Sequence, residues 1–476
     1  MTFIDSHYLF IFLPLVLTLY YFARKSPLAN VIVLCASYYF YGSSGVFLLI
    51  PLLISSLVDF YVGHKLDEST NEPWRKFLLV ISIVANMSIL VFFKYATWAM
   101  ESANAVFNQF SIPIHLSTAM AIPMLPGVSF YTFQTMSYTI DIYRREMKAS
   151  RHLVNYLAFV SFWPHLVAGP IMRAKNLLQQ IETIRPKVSP ETARVAIMLI
   201  VYGIFKKVVL ADNFGYLVEQ IDNQAKGGHP WPGAGLLLAY AFAGQIYCDF
   251  SAYTTIARGS AKLINVELVR NFHTPYLSIS PSDFWRRWHI SLSTWLRDYV
   301  YIPMGGNRRG LYRNLMITMV LGGIWHGAGV LFIAWGIWHG FLLIVYRLIP
   351  IEESLMKIGK LGRGLSILIT FHLVCFGWLL FRSDVHTFWP LLRSALDIGQ
   401  ISFAATSAFP YFAWAVLALG GIVAATDYLG YRKDSEFEDL FSKFNKTGVV
   451  ALLVICYFAI VLMGKREGAQ FVYFQF

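Results

Sequence analysis

Apolar residues fall in long runs at residues 7–23, 28–42, 45–62, 77–97, 119–142, 153–171, 193–211, 233–256, 314–346, 364–381, 408–430 and 447–463. A helix crossing a bilayer needs about 20 such residues, so most of these runs can cross once. The pattern predicts an all-α polytopic membrane protein with about 10–12 transmembrane helices, together with re-entrant and interfacial helices. The run 314–346 is about twice the length of one crossing. It carries Gly322, Gly323, Gly327, Gly329, Gly336 and Gly340 and reads as two short or bent helices. Pro123, Pro126 and Gly127 interrupt a second run, and Pro164, Gly169 and Pro170 a third. Broken helices persist in a membrane only where protein or a water-filled cavity surrounds them, so re-entrant or interrupted segments are expected at both places. The parity of the span count stays open for the same reason.

Loop charges separate the two faces. Residues 143–151 carry Arg144, Arg145, Lys148 and Arg151, and residues 172–187 carry Arg173, Lys175, Arg185 and Lys187. Residues 101–118 carry no Lys or Arg, and residues 213–232 carry only Lys226. By the positive-inside rule the first two loops are cytoplasmic and the last two lie outside. Arg24 and Lys25 follow the first run, which puts the N-terminus outside, with an uncleaved first span beginning at residue 1.

Composition agrees. Of 476 residues 57% are hydrophobic and 14% charged, against roughly 25% charged in soluble domains. Disordered, collagenous, disulfide-framework and ordinary soluble-enzyme classes are excluded. A net charge of +12 would suggest nucleic acid for a soluble chain. Here the basic residues sit between apolar runs, and no nucleic-acid partner is expected. Cys35, Cys248, Cys375 and Cys456 lie inside apolar stretches without paired spacing and read as packing residues. No internal repeat or linker divides the chain, so residues 1–476 are expected to form one membrane domain.

Residues 257–313 are the longest stretch that does not plainly span, with nine basic residues against three acidic, and are placed on the cytoplasmic side. After Pro281 and a possible N-cap at Ser282, the residues Trp285, Trp288, His289, Leu292, Trp295, Leu296 and Tyr299 recur at helical spacing. Arg286, Arg287, Arg297 and Asp298 lie mostly off that stripe, which predicts an amphipathic helix at the membrane interface. Pro303, Gly305 and Gly306 end it. His289 is the polar exception on the aromatic face. It reads either as a core histidine satisfied by a carbonyl or as a functional group.

Within the run 314–346, Trp325-His326-Gly327 and Trp338-His339-Gly340 each carry a histidine. An ionisable group inside a membrane run is costly and is a functional candidate. The two are 13 residues apart, about 220° around a straight helix, and would share one task only if the helix breaks between them. The glycines around His326 would let a substrate approach closely. His339 lacks them and is expected to be structural. A neutral imidazole can take a proton from a hydroxyl and return it to a leaving group, which suits acyl transfer from a thioester to an alcohol. A metal site is not expected, since no nearby acidic or cysteine ligand completes a set. Serine-hydrolase, dinucleotide and phosphate-loop motifs are absent. Asp249 could orient a histidine, pair with a cytoplasmic arginine, or be a helix-end carboxylate near headgroups. Lys206 and Lys207 are expected to snorkel to the interface.

Several of these pieces occur together in one known family. Ser129-Phe130-Tyr131-Thr132-Phe133-Gln134, Pro164-His165-Leu166-Val167-Ala168-Gly169-Pro170, Phe205-Lys206-Lys207, Phe284 to Tyr301, Gly305-Gly306-Asn307-Arg308, Trp325-His326-Gly327 and the terminal Phe471-Val472-Tyr473-Phe474-Gln475-Phe476 follow in order. With them the chain resembles the membrane-bound O-acyltransferases, in the bacterial branch of the alginate O-acetylation and teichoic acid D-alanyl transfer proteins.

The resemblance implies many helices around a central funnel, and a tunnel joining an inner donor site to an outer acceptor site. It implies that His326 is the catalytic histidine and that His289 lines the same tunnel from the inner side. Trp285, Arg286, Trp288 and Arg297 become candidates for contact with the donor. The donor would be an acyl thioester, acetyl-CoA or an acyl carrier protein, acting as co-substrate with no bound cofactor. The acceptor would be a hydroxyl of an exported polysaccharide or of a periplasmic partner protein. The expected location is the bacterial inner membrane. One departure stands out: relatives continue Asp-Phe-Ser with Gly-Tyr-Ser-Asp, whereas this chain reads Ala252-Tyr253-Thr254-Thr255, so the acid at 255 is missing. The rival reading is a polytopic glycan or lipid transporter or flippase that uses its membrane histidines as a proton relay. It would predict inverted symmetry between halves, which is absent.

Overall fold

The computed structural model describes residues 1–116, 125–227, 230–397, 399, 408–433, 437–464 and 471–472. The elements among the described residues are helical, with no strand. Among the described residues six helices are long and apolar enough to cross a membrane: Val46–Glu68, Glu72–Gln109, Val330–Leu348, Lys360–Arg382, Tyr411–Tyr431 and Lys446–Met463. Tyr8–Ala23 and Leu28–Gly42 are shorter and also apolar. In Lys446–Met463 only 6% of the most apolar window is buried. So much outward apolar surface is favourable only against lipid. The protein is an all-α, multi-pass membrane protein.

The chain folds as two compact units, residues 1–196 with 257–269, and residues 197–256 with 270–476. In the first, Leu49–Glu68, Glu72–Gln109 and Val128–Tyr143 pack together. Their shared interior carries a buried polar network. Ser82 Oγ and Asn86 Nδ2 donate to Asp59 at 2.6 and 2.7 Å, and Ser55 and Thr135 donate to Asn86 Oδ1. Interhelical hydrogen bonds of this kind replace the hydrophobic drive that lipid removes. The buried Arg75 guanidinium donates to the carbonyls of Leu66, Ser69, Ile142 and Tyr143, closing the C-terminal ends of two helices with a positive charge. Pro123 lies outside the described residues. Gly127, at φ +77°, precedes the helix Val128–Tyr143, and Trp163–Leu166 is a short helix after Leu153–Ser161, so the interruption at Pro164 occurs.

The second unit is organised by a helical hairpin, Leu311–His326 and Val330–Leu348. The expected break falls at Gly327-Ala328-Gly329 and leaves His326 and His339 on different helices. Glycine sets the closeness of the two: a Cβ on Gly323 would meet the Phe332 carbonyl at 2.2 Å, and one on Gly336 the Met319 carbonyl at 2.6 Å.

The single interfacial helix expected from Ser282 onward is corrected. Two short helices, Pro281–Arg287 and Ile290–Leu296, replace it, followed by a π-helical turn at Arg297–Tyr301. The cap is Ser280, whose Oγ accepts from the Asp283 amide, with Pro281 as first helical residue. The chain breaks because His289 adopts a left-handed backbone, φ +42° and ψ +52°. Ile290 N–H then donates to the Asn271 carbonyl at 2.9 Å instead of continuing the helix.

The hairpin yields a paired prediction. Gly336→Ala should lower stability by roughly 1–3 kcal/mol, because the added methyl meets backbone that cannot yield without parting the helices. Gly364→Ala, where nothing lies within 4 Å, should be neutral or slightly stabilising. Thermal unfolding of both variants in detergent checks this, and equal melting temperatures would refute it.

Candidate functional site

The histidine pair forms where the broken interfacial segment meets the hairpin turn. His289 is wholly buried at the helix break, and His326 is the last residue of its helix, 3% exposed. Their ring centroids are 6.5 Å apart with planes at 58°. Aromatic rings enclose them: Phe250 stands edge-on to His289 at 4.7 Å, and Trp325 lies 5.9 Å from His289. Trp335 and Phe381 stand edge-on to His326 at 5.1 and 5.2 Å. Such walls keep the local dielectric low around both rings.

The tautomer of His289 follows from its neighbours. Asn271 Oδ1 lies 3.2 Å from His289 Nδ1 and also accepts from the Ser291 amide at 3.2 Å and Ser291 Oγ at 2.8 Å. A backbone amide can only donate, so this atom is the oxygen, and Nδ1 must carry the hydrogen. Nε2 is then the basic nitrogen. Burial pushes the imidazole pKa down to about 3, so this neutral form persists across the physiological range.

The remaining candidates separate. Trp285 is half-buried and packs edge-on against Trp335 and His339 at 5.6 and 5.2 Å, beside the pair. Trp288 packs with Phe272, Phe284 and Trp378, a layer that in turn backs the rings walling the histidines, Phe250, Trp335 and Phe381. Arg286 and Arg297 are exposed and reach Asp283 and Asp298, away from the histidines. His339 is buried between Phe284, Trp285 and Trp335.

Three expectations are overturned by a buried charge cluster behind the site. Lys206 and Lys207 do not snorkel: both are buried, at the start of the π-helical segment Lys206–Ala211. Lys207 pairs with Asp212 at 2.8 Å and Asp249 at 3.0 Å. Asp249 is therefore neither a histidine's orienter nor an arginine's partner, and it sits mid-helix in Ala234–Lys262 rather than at a helix end. Its other oxygen accepts the Val472 amide at 2.8 Å, which ties the C-terminal segment to this helix. Phe471 packs on Tyr253 at 4.3 Å and on Phe250, the residue that walls His289. Of the cysteines expected to pack, Cys35 is exposed and the other three are buried as free thiols.

Lys206 is enclosed by a second set of partners. Its Nζ donates to Thr255 Oγ1 at 2.7 Å and pairs with the Glu438 carboxylate, which also lies against Thr255. The carboxylate that meets Thr255 and Lys206 comes from a distant part of the chain. Neither Glu438 nor Asn271 carries a local sequence signal. Glu438→Gln should cost roughly 3–5 kcal/mol by leaving a buried ammonium uncompensated. Adding Thr255→Asp should recover most of that loss, as read by thermal unfolding of the purified protein. A double variant no more stable than Glu438→Gln would contradict the equivalence of the two carboxylate positions.

The profile of the membrane-bound O-acyltransferase family matches residues 143–351. The chain is 37% identical over 392 residues to the probable alginate O-acetylase AlgI of Pseudomonas putida, covering 81% of this chain and 78% of that protein. It is 32% identical over 430 residues to the peptidoglycan O-acetyltransferase of Helicobacter pylori, covering 83% and 80%. It is 28% identical over 271 residues to the teichoic acid D-alanyltransferase of Bacillus subtilis, covering 54% and 68%. With its helices, its location in the bacterial inner membrane and its O-acyltransferase activity, the chain belongs to the membrane-bound O-acyltransferase family.

Proposed function

We propose that this protein takes an acetyl group from a cytoplasmic thioester and passes it through the inner membrane to a hydroxyl of an exported polysaccharide or of a periplasmic partner protein. The observation that carries the reading is the enclosed pair His289 and His326, 6.5 Å apart between aromatic walls. The similarity to alginate and peptidoglycan O-acetylating proteins supports acetyl as the group and a polysaccharide as the acceptor.

His326 acts as general base. It removes the hydroxyl proton as the oxygen attacks the thioester carbonyl, the new ester C–O bond forms, and the C–S bond breaks. The proton held on the imidazole goes to the departing thiolate, so the histidine is regenerated and no oxidant or metal enters. His289 positions the donor. With Nδ1–H committed to Asn271, its Nε2 accepts rather than donates, which suits an amide N–H of a pantetheine arm and not the thioester oxygen. Both groups act in a ternary complex of donor and acceptor, since no cysteine is adjacent to either histidine in sequence to form an acyl-enzyme.

The test is acetyl transfer from radiolabelled acetyl-CoA to an acceptor glycan by the purified, reconstituted protein. His326→Ala should lower turnover by roughly 10²–10⁴-fold, the usual worth of a positioned general base. His289 is the neutral partner with a pKa pushed down to about 3, so its protonation should silence transfer only in strong acid, and an acid limb near 6.5 would belong to another group. Unchanged turnover in a folded His326→Ala protein would overturn the assignment.

A further inference from the structure

A second site lies far from the histidine pair in sequence, within the first unit. A cavity of about 540 Å³ is formed where three connections meet: the turn after Tyr8–Ala23, the start of Leu153–Ser161, and the chain following Ala174–Glu182. Four cations line it, Arg24, Lys25, Arg151 and Arg185, against one acid, Glu182. That acid is already engaged by the Ser150 hydroxyl.

The four cations divide by role. Arg185 builds the floor: its Nε donates to Tyr20 Oη at 2.7 Å, Nη2 to Asn30 Oδ1 at 2.8 Å, and Nη1 to the Gln180 carbonyl at 3.4 Å. It therefore offsets the negative C-terminal end of Ala174–Glu182. Arg24, Lys25 and Arg151 form no ion pair among the described residues. The positive ends of Leu28–Gly42 and Leu153–Ser161 also open onto the cavity and add to the same sign of field.

The rim is apolar and faces outward. Ile184 is 75% exposed, and Val31, Leu153 and Val154 are each more than a third exposed. From this rim a stripe of exposed residues, Leu28, Val31, Cys35 and Tyr39, follows one face of the apolar helix Leu28–Gly42. A basic cup that opens onto an apolar strip matches one kind of ligand, an anionic head joined to hydrocarbon chains. A free nucleotide or phosphate would use the cup and leave the strip uncovered. The loop charges put this cavity at the cytoplasmic face, where anionic lipid is available.

We infer that this cavity is a binding site for an anionic phospholipid, with the phosphate among Arg24, Lys25 and Arg151 and an acyl chain along Leu28, Val31 and Tyr39. Occupancy would brace the three connections that form the cup. The site is independent of the transfer chemistry and does not rest on the histidine assignment.

The experiment is a thermal-shift titration of the full-length protein in dodecyl maltoside with dihexanoyl phosphatidylglycerol, dihexanoyl phosphatidylcholine and coenzyme A as probes. Phosphatidylglycerol should raise the melting temperature saturably, and phosphatidylcholine should not. The double variant Arg24→Ala/Arg151→Ala should weaken the phosphatidylglycerol response by roughly 30-fold, about fivefold for each basic side chain removed. Lys25→Ala, at an exposed turn residue, should weaken it by several-fold and serves if the double variant does not fold. Equal response to the two lipids, or an unchanged response in Lys25→Ala and the double variant, overturns the site. Competition by coenzyme A for the phosphatidylglycerol response would also overturn it, assigning the cup to the phosphates of a soluble donor.

Discussion

The backbone of His289 turns left-handed against the grip of Asn271, and the geometry of the site depends on that turn. A non-glycine residue in this conformation costs roughly 1–2 kcal/mol. Asn271 offsets it on three sides: its carbonyl takes the Ile290 amide, and its side-chain oxygen takes the Ser291 amide and the His289 imidazole. Without the turn, a continuous helix would carry Trp288 and His289 around one axis at fixed spacing. With it, Trp288 enters the core formed by Phe272, Phe284 and Trp378, while His289 swings to within 6.5 Å of His326. One asparagine thus sets the backbone, the ring position and the tautomer of the histidine together.

The second support is charge buried as closed sets. Lys207 is shared by Asp212 and Asp249, and Lys206 by Glu438 and Thr255, so neither ammonium faces the apolar interior alone. Such pairs add little net stability, but removing one member is expensive, which makes them good determinants of where helices sit. Here they locate Ala234–Lys262, and Phe250 on that helix in turn walls His289. The Val472 amide on Asp249 brings the C-terminal segment into the same arrangement.

What could be read in the sequence was local, and what could not was long-range. The apolar runs 364–381 and 447–463 became Lys360–Arg382 and Lys446–Met463, because bilayer crossing is decided by length and composition within one segment. Gly327 and Gly329 betrayed the hairpin break for the same reason. His289 and His326 stood out because imidazoles amid apolar and aromatic residues demand an explanation. The amphipathic stripe from Trp285 to Tyr299 identified the buried residues Trp288, His289, Leu292, Trp295 and Leu296, yet missed the break among them. That break is made by Asn271, 18 residues from His289 in the chain. The partner of Thr255 is 183 residues away, so the carboxylate that meets it left no trace nearby. Lys206 and Lys207 were misjudged because snorkelling is the default only when no buried carboxylate is at hand.

The most direct measurement is an electron cryo-microscopy map of the protein in lipid nanodiscs with a stable ketone analogue of acetyl-CoA, in which CH₂ replaces the thioester sulfur. The account predicts the ketone carbon between the His289 and His326 rings, with the Nε2 of His289 within hydrogen-bond reach of an amide of the pantetheine arm. An analogue bound elsewhere, with both imidazoles still enclosed by their aromatic walls, would contradict it.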